Sequence, residues 1–465
     1  MNLLLRRVAL FVALVLAAAG GVAAIAVRLP SSDFTPLQTA SVSAQGFTSD
    51  TDTSFDAIKA RVTQLRGLTP KADVPEVALT PAEYRDRMIA DMADEDSQKS
   101  IEDSRQLMVA LGLLAPDVDL YQMELDFRTG IVLGEYDPDT KQLYVITGTD
   151  LTRPLERVTL AHEFTHALQD QYYDIRALLP KDSDNSDRDL AVSSILEGDA
   201  LISEQLYEIH ALSRAERQEK RREEQSMSSQ VNLDRVPLVL LEETYFPYVY
   251  GPEFIASVIG RDTLRQAIDS GTGYGPAVTP IFENPPKSTA QIIHPEKYVN
   301  NVLPVPVNFP DLAAALGPGW EQRRKDLLGE IDHRILIQQF VNRELGDRAS
   351  AGWAGDAFAL LRNGDQTAVV VRSIWDTPNN ANEWFDAYTQ AMTARYRQNL
   401  QSVDQRANRV QWRTPDSQQL LTVDGTSTTI IIAPTADQIS RLEQALGLSA
   451  VPAARRLLPT VGLIP

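Results

Sequence analysis

Apolar residues recur every three or four positions through much of the chain and on alternate positions nearer its end, which divides it into a helical part and a mixed part. Helical spacing runs from Phe55 to Leu68, from Thr80 to about Met92 with Thr80-Pro81 as cap and first turn, and from Ser97 to Leu114. Two β-rich runs, Ile131–Tyr136 and Gln142–Thr147, flank the turn sequence Asp137-Pro-Asp-Thr140 and predict a hairpin, which serves as scaffold or as an edge for an extended peptide. A helix follows, with Thr152 as cap, Pro154 in its first turn and an apolar-leaning stripe of Leu155, Val158, Ala161, Thr165 and Leu168. A longer helix passes through Leu190, Ile195, Leu201, Ile202, Leu206 and Ile209, with Ser186 and Asp189 at capping-box spacing, and the charged run Arg214 to Glu224 extends it as a water-exposed arm.

From Val236 to Tyr298 the chain is rich in aromatic residues, Pro and Gly, a composition suited to lining a site. Beyond Asp311 a helical region is expected to about Leu345, then strands at Ala357–Leu361 and Thr367–Trp375, and a helix from Asn379 to about Leu400. Strands at Arg409–Trp412, Gln419–Val423 and Thr428–Ala433 and a closing helix from Pro434 to Leu446 complete the pattern. The fold class is therefore α+β: a mainly helical domain with a small hairpin over 54–310, then an α+β C-terminal subdomain over 311–465 that ends in a loosely ordered tail from Pro452.

The N-terminus adds a membrane element. Arg6 and Arg7 precede an uncharged run of 20 residues, Val8 to Val27, long enough to cross a bilayer as a helix. Positive charge on its N-terminal side keeps that end cytoplasmic and places the chain after Arg28 outside, so 1–28 reads as a single-pass signal anchor. Ala24-Ile-Ala26 offers an alternative, cleavage and secretion. The Ser, Thr, Asp and Pro of 29–53 form a flexible linker.

Composition narrows the chemistry. A formal charge of −19 excludes a nucleic-acid binder, because a phosphate backbone needs a basic face. No cysteine is present, so disulfides, thiolate ligands and a cysteine nucleophile are excluded, and any metal falls to histidine and carboxylate. The loop Lys181 to Asp189 alternates Asp and Asn but lacks the glycine and terminal glutamate of an EF-hand, and reads as a solvated acidic loop.

Two of the five histidines, His162 and His166, stand four residues apart in Thr159-Leu-Ala-His-Glu-Phe-Thr-His-Ala-Leu-Gln-Asp-Gln171. On a helix they share one face and can offer two imidazole nitrogens to a tetrahedral zinc ion. Glu163 lies about 100° further round, where a general base would stand and a ligand would not.

His162-Glu-Phe-Thr-His166 resembles the zinc-binding helix of the zincin metallopeptidases. A downstream helical glutamate brings the resemblance closer to the gluzincin, thermolysin-like branch, and Glu197 in Leu-Glu-Gly-Asp-Ala200 is the residue that fits as third zinc ligand. Together with the Pro285-Pro to Pro295 motif, these strings resemble a poorly characterised group of exported prokaryotic gluzincin-like proteins. The match covers about Ile131 to Tyr298, and the C-terminal third only through Ala351-Gly-Trp-Ala-Gly-Asp356. Thermolysin-like enzymes place an aspartate four residues after the ligand glutamate; here that position is Leu201, with Asp199 nearby.

The resemblance implies a membrane-anchored, extracytoplasmic zinc peptidase acting on a protein or peptide, with His162, His166 and Glu197 as ligands and Glu163 as base. His294, bracketed by proline, is the candidate oxyanion donor and Tyr298 the second; His210 and His333 carry no motif and read as structural. The alternatives are a catalytically idle scaffold that keeps the fold, and a zinc amidase acting on a cell-wall substrate.

Overall fold

A computed structural model describes residues 53–130, 132–228, 236–271 and 274–448. The expected anchor, the linker apart from its last residue, and the tail lie outside these residues, and no helix among the described residues is long and apolar enough to cross a membrane. The fold is α+β, in two units: 1–102 with 118–302, and 103–117 with 303–465. The second unit is thus discontinuous, and its main segment starts a few residues before the expected boundary at 310.

In chain order the first unit holds α1 (Phe55–Arg66), β1 (Glu76–Leu79), α2 (Pro81–Met92), the start of α3 (Glu95–Leu111), α4 (Leu120–Thr129), β2 (Gly134–Asp137) and β3 (Gln142–Ile146). It continues with α5 (Pro154–Tyr173), α6 (Ile175–Leu178), α7 (Ser186–Ala211), α8 (Arg214–Ser228) and α9 (Leu238–Ile259). Then come α10 (Arg261–Ser270), α11 (Gly275–Glu283), α12 (Thr289–Ile293) and α13 (Pro295–Val299). The expected hairpin is present, and β1 joins it in parallel to β3, giving the order β1-β3-β2 and leaving β2 as an edge.

Thr80 caps α2 as expected, and the structure adds a capping box with Glu83. Two other caps differ from expectation. The N-cap of α5 is Arg153, without a side-chain hydrogen bond, because Asp150 captures the Thr152 hydroxyl at 2.6 Å. The N-cap of α7 is Asn185, which accepts from the Arg188 N–H at 2.9 Å and leaves Ser186 inside the first turn. The charged run is a separate helix, α8, because the backbone at Leu212 is extended.

Helix α5 shows no exposed face: every residue from Pro154 to Asp170 is buried. It packs on α1, α7, α8 and β2. Helix α7 is nearly as enclosed, and α9 lies against it at Gly198 and Gly251, where a Cβ on Gly251 would stand 2.0 Å from the Ser194 carbonyl oxygen. Two glycines therefore let the α9 backbone press on the turn next to Glu197.

The second unit adds α14 (Leu312–Leu316), β4 (Glu321–Asp326), α15 (Gly329–Gln338), α16 (Arg343–Ser350), β5 (Trp353–Asn363), β6 (Gln366–Trp375) and α17 (Pro378–Tyr396). It ends with β7 (Gln401–Arg406), β8 (Arg409–Arg413), β9 (Gln418–Asp424), β10 (Ser427–Ala433) and α18 (Ala436–Ala445). Its seven-stranded sheet runs β4-β5-β6-β10-β9-β8-β7 with every pairing antiparallel. Ala359, Leu361, Val370 and Ile431 form one core with Leu312, Ile439 and Leu442 of α14 and α18. The alternate residues Phe358, Leu360, Val369, Val371 and Ile430 are also buried, so the central strands read as continuous apolar runs. The expected helix to Leu345 is interrupted by β4, a polar edge strand. Asp356, in the Ala351–Asp356 motif, accepts from the Leu328 N–H at 2.9 Å, which ties β5 to the start of α15.

His333 is structural, as expected. Its Nδ1–H donates to the Gly329 carbonyl at 2.8 Å, and Nε2 accepts from the Ser373 hydroxyl at 2.7 Å, between Trp375 and Trp384. Burial holds its pKa down at about 4. The unfolded chain, with an ordinary value near 6.5, takes the proton first, so this unit loses stability as pH falls from about 6.5 to about 4, by up to roughly 3 kcal/mol, and loses no more from this group below that. All five tryptophans lie between Trp320 and Trp412, so melting followed by tryptophan fluorescence reads this unit. His333→Gln is expected to flatten the slope in that window; an unchanged slope would exclude His333 as its source.

Candidate metal centre

Helix α5 carries His162, Glu163 and His166, and α7 brings Glu197 across to them. The two imidazole rings stand edge to face, 4.8 Å between centroids. The His162 and His166 Nε2 atoms are 3.1 Å apart, and Glu197 Oε2 lies 3.3 Å from the first and 3.7 Å from the second. Zinc bonds of about 2.0–2.2 Å in a tetrahedron place ligand atoms about 3.3–3.6 Å apart, so the three atoms already approximate one face of a tetrahedral site.

Hydrogen bonds fix which nitrogens face inward. Gln169 Nε2 donates to the Leu196 carbonyl and to Asp199, both at 2.9 Å, so its Oε1 must be the acceptor 2.8 Å from His166 Nδ1. That places the His166 proton on Nδ1 and a lone pair on Nε2. His162 Nδ1 likewise donates to Glu204 Oε2 at 3.1 Å. Asp199 is itself held by the Arg66 guanidinium at 2.9 Å and the Tyr274 hydroxyl at 2.7 Å. Each histidine therefore has the oriented outer partner that metal-ligating histidines require.

Acceptors this close repel one another unless positive charge sits among them, either a proton or a cation. Burial opposes charging of His162, but Glu197 and Glu204 outweigh it and push its pKa up to about 10. Burial also opposes ionisation of Glu197, and the two histidines outweigh it and hold its carboxyl below its ordinary value. Its Oε1 is buried and has no hydrogen-bond partner. The donor set, the orphaned oxygen and the spacing together fit a divalent metal held by His162, His166 and Glu197.

Glu163 points elsewhere. Its Oε2 accepts from the Tyr136 N–H at 2.8 Å, on the outer edge of β2, and burial raises its pKa to about 7. The hairpin is thus fastened to the motif helix through this carboxylate. His162, His166 and Glu197 are fully buried and Glu163 is 4% exposed.

The other sequence candidates are not drawn in. None of the contacts of His162, Glu163, His166 and Glu197 reaches His294 or Tyr298. His294, partly exposed between α12 and α13, has Nδ1 3.8 Å from Glu296, and the Tyr298 hydroxyl donates to the Asn284 carbonyl at 2.9 Å. His210 is structural, bonding the Ile268 carbonyl at 2.8 Å. Sequence reading gave no role to Gln169 or Arg66 and left Asp199 without one. Glu204 had a detectable signal, since it follows Glu197 by seven residues, two helical turns, and so shares its face.

A family model described as a domain of unknown function (DUF8575) matches residues 318–443, which hold the seven-stranded sheet, α15 to α17 and most of α18, and none of the metal cluster. No curated protein and no solved structure matches the chain.

Proposed function

We propose that this protein is a zinc-dependent peptidase of the gluzincin type, anchored in the cell membrane by 1–28 with its folded part outside. The observation that carries the reading is the convergence of His162 Nε2, His166 Nε2 and a Glu197 oxygen with Glu163 beside them. Zinc, when bound by those three residues, would supply a Lewis acid that activates water and polarises a peptide carbonyl.

The chain's own residues supply the rest. Glu163, a buried carboxylate one position after a ligand on the same helix, is the group placed to accept and return protons. The Tyr136 N–H holds its Oε2, and Oε1, which has no partner among the described residues, is the atom that takes the proton. Gln169 and Glu204 hold the two imidazoles in the tautomer that leaves Nε2 available. Neither oxyanion-donor candidate shares a contact with the cluster, and we keep His294 as the first to test, on its proline-bracketed motif. His294→Ala is expected to lower turnover about a hundredfold with zinc content unchanged; normal turnover removes it from the mechanism.

The full burial of the three ligands favours a second reading, a metal-stabilised scaffold without turnover. A mixed peptide library incubated with full-length protein and read by mass spectrometry separates the two. The peptidase reading expects cleavage that a chelator abolishes and zinc restores. No cleavage of peptides or of cell-wall amide crosslinks, with zinc bound, leaves the scaffold.

A further inference from the structure

We propose that Lys220, on the charged helix α8, is a positioning residue of the metal centre, acting on His162 through Glu204. The inference rests on the metal reading above. Lys220 is the anomaly of its helix: α8 is almost wholly polar, yet the Lys220 side chain is only 8% exposed. Its ammonium lies 2.7 Å from Glu224, 3.0 Å from Glu208 and 3.7 Å from Glu204. All three carboxylates are largely buried, but Glu204 alone of them also holds His162.

The two oxygens of Glu204 divide the work. Oε2 takes the His162 Nδ1–H, and Oε1 faces Lys220. A buried carboxylate that touched only an imidazole would be free to rotate, and the cation on its far side opposes that. Helix α8 is tied to the motif helix by further ion pairs, Arg157 to Glu216 and Arg153 to Glu223, so Lys220 is delivered from a docked element. The other histidine shows the same logic, His166 to Gln169 to Asp199 to Arg66, again ending on a buried cation.

Removing Lys220 unlocks Glu204. Looser orientation of His162 is the consequence, so the site is expected to hold its metal less well.

The test is zinc titrated into metal-free full-length protein against a chromophoric chelator. Lys220→Met is expected to weaken zinc binding by about fivefold to tenfold, at or below the scale for losing the outer partner of a ligand itself, and Lys220→Arg to recover most of the loss. In a Glu204→Gln background Lys220→Met should add less than about twofold, because the route to His162 is already cut. Glu208→Gln, which removes a partner of Lys220 but not that route, should leave zinc affinity unchanged. If Lys220→Met does not fold, Lys220→Gln takes its place in the same cycle. A folded Lys220 variant with unchanged zinc affinity, or losses that add in full to those of Glu204→Gln, overturns the proposal. Wild-type protein that binds no zinc overturns the metal reading on which it rests.

Discussion

Glu163→Gln is expected to retain one zinc per chain and to lower peptide turnover by about a thousandfold, within the range for removing a general base. The substitution is nearly isosteric in a fully packed helix, so no cavity is created. The glutamine carbonyl oxygen can still accept the Tyr136 N–H that Glu163 holds at 2.8 Å, so the hairpin stays fastened. Glu163 shares no hydrogen bond with Glu197 or either imidazole, so the bonds that orient the three converging donor atoms are kept. What changes is the carboxylate that has an oxygen left to take a proton. Turnover within about threefold of wild type would remove Glu163 from the chemistry and point to the scaffold reading.

Glu197→Ala is expected to reduce zinc content to near zero and to destabilise the first unit by roughly 3–5 kcal/mol, the scale for removing one partner from a buried charged set. No neighbour can substitute. Asp199 is already committed to Arg66, Gln169 and Tyr274, and Glu204 to His162 and Lys220. Chelation of wild-type protein should lower its melting temperature in the same direction, because it removes a ligand that binds the folded state alone and leaves a buried carboxylate oxygen of Glu197 without a partner. Far-UV ellipticity follows both melts, since the first unit is mainly helical. A variant that keeps full zinc would reassign the third ligand.

The parts of the site that were legible in sequence are those governed by helical spacing. His162, Glu163 and His166 sit within about one turn, so their relative directions follow from local geometry. Glu197 needed a resemblance to be chosen, and its oxygen reaches the imidazoles because α7 crosses α5 at that turn, a tertiary fact. Glu204 and Gln169 were readable in principle, at seven and three residues from a ligand. Arg66, 133 residues from Asp199, was not, since only packing of α1 beside α7 creates the pair.

The fold shows the same division. The hairpin and the apolar strands β5, β6, β9 and β10 announce themselves by composition, and Thr80 by the Pro81 that follows it. The polar edge strands β4 and β7, and the four-residue β1, carry no such signal, because a solvated edge needs no apolar pattern. The apolar stripe expected on α5 understated its burial. Packed on all sides, that helix buries Glu163, Asp170 and both histidines alongside its leucines, so burial had no periodicity to detect.

Zinc K-edge X-ray absorption on the full-length protein tests the central claim most directly, because it reads the ligand set without depending on a substrate. The spectrum is expected to show one zinc per chain with two imidazole nitrogens at about 2.0–2.1 Å and oxygen ligands at about 2.0–2.2 Å, with the imidazole scattering lost in His166→Ala protein. Protein without zinc, or zinc surrounded by oxygen alone and indifferent to His166, would contradict the metal centre and the function built on it.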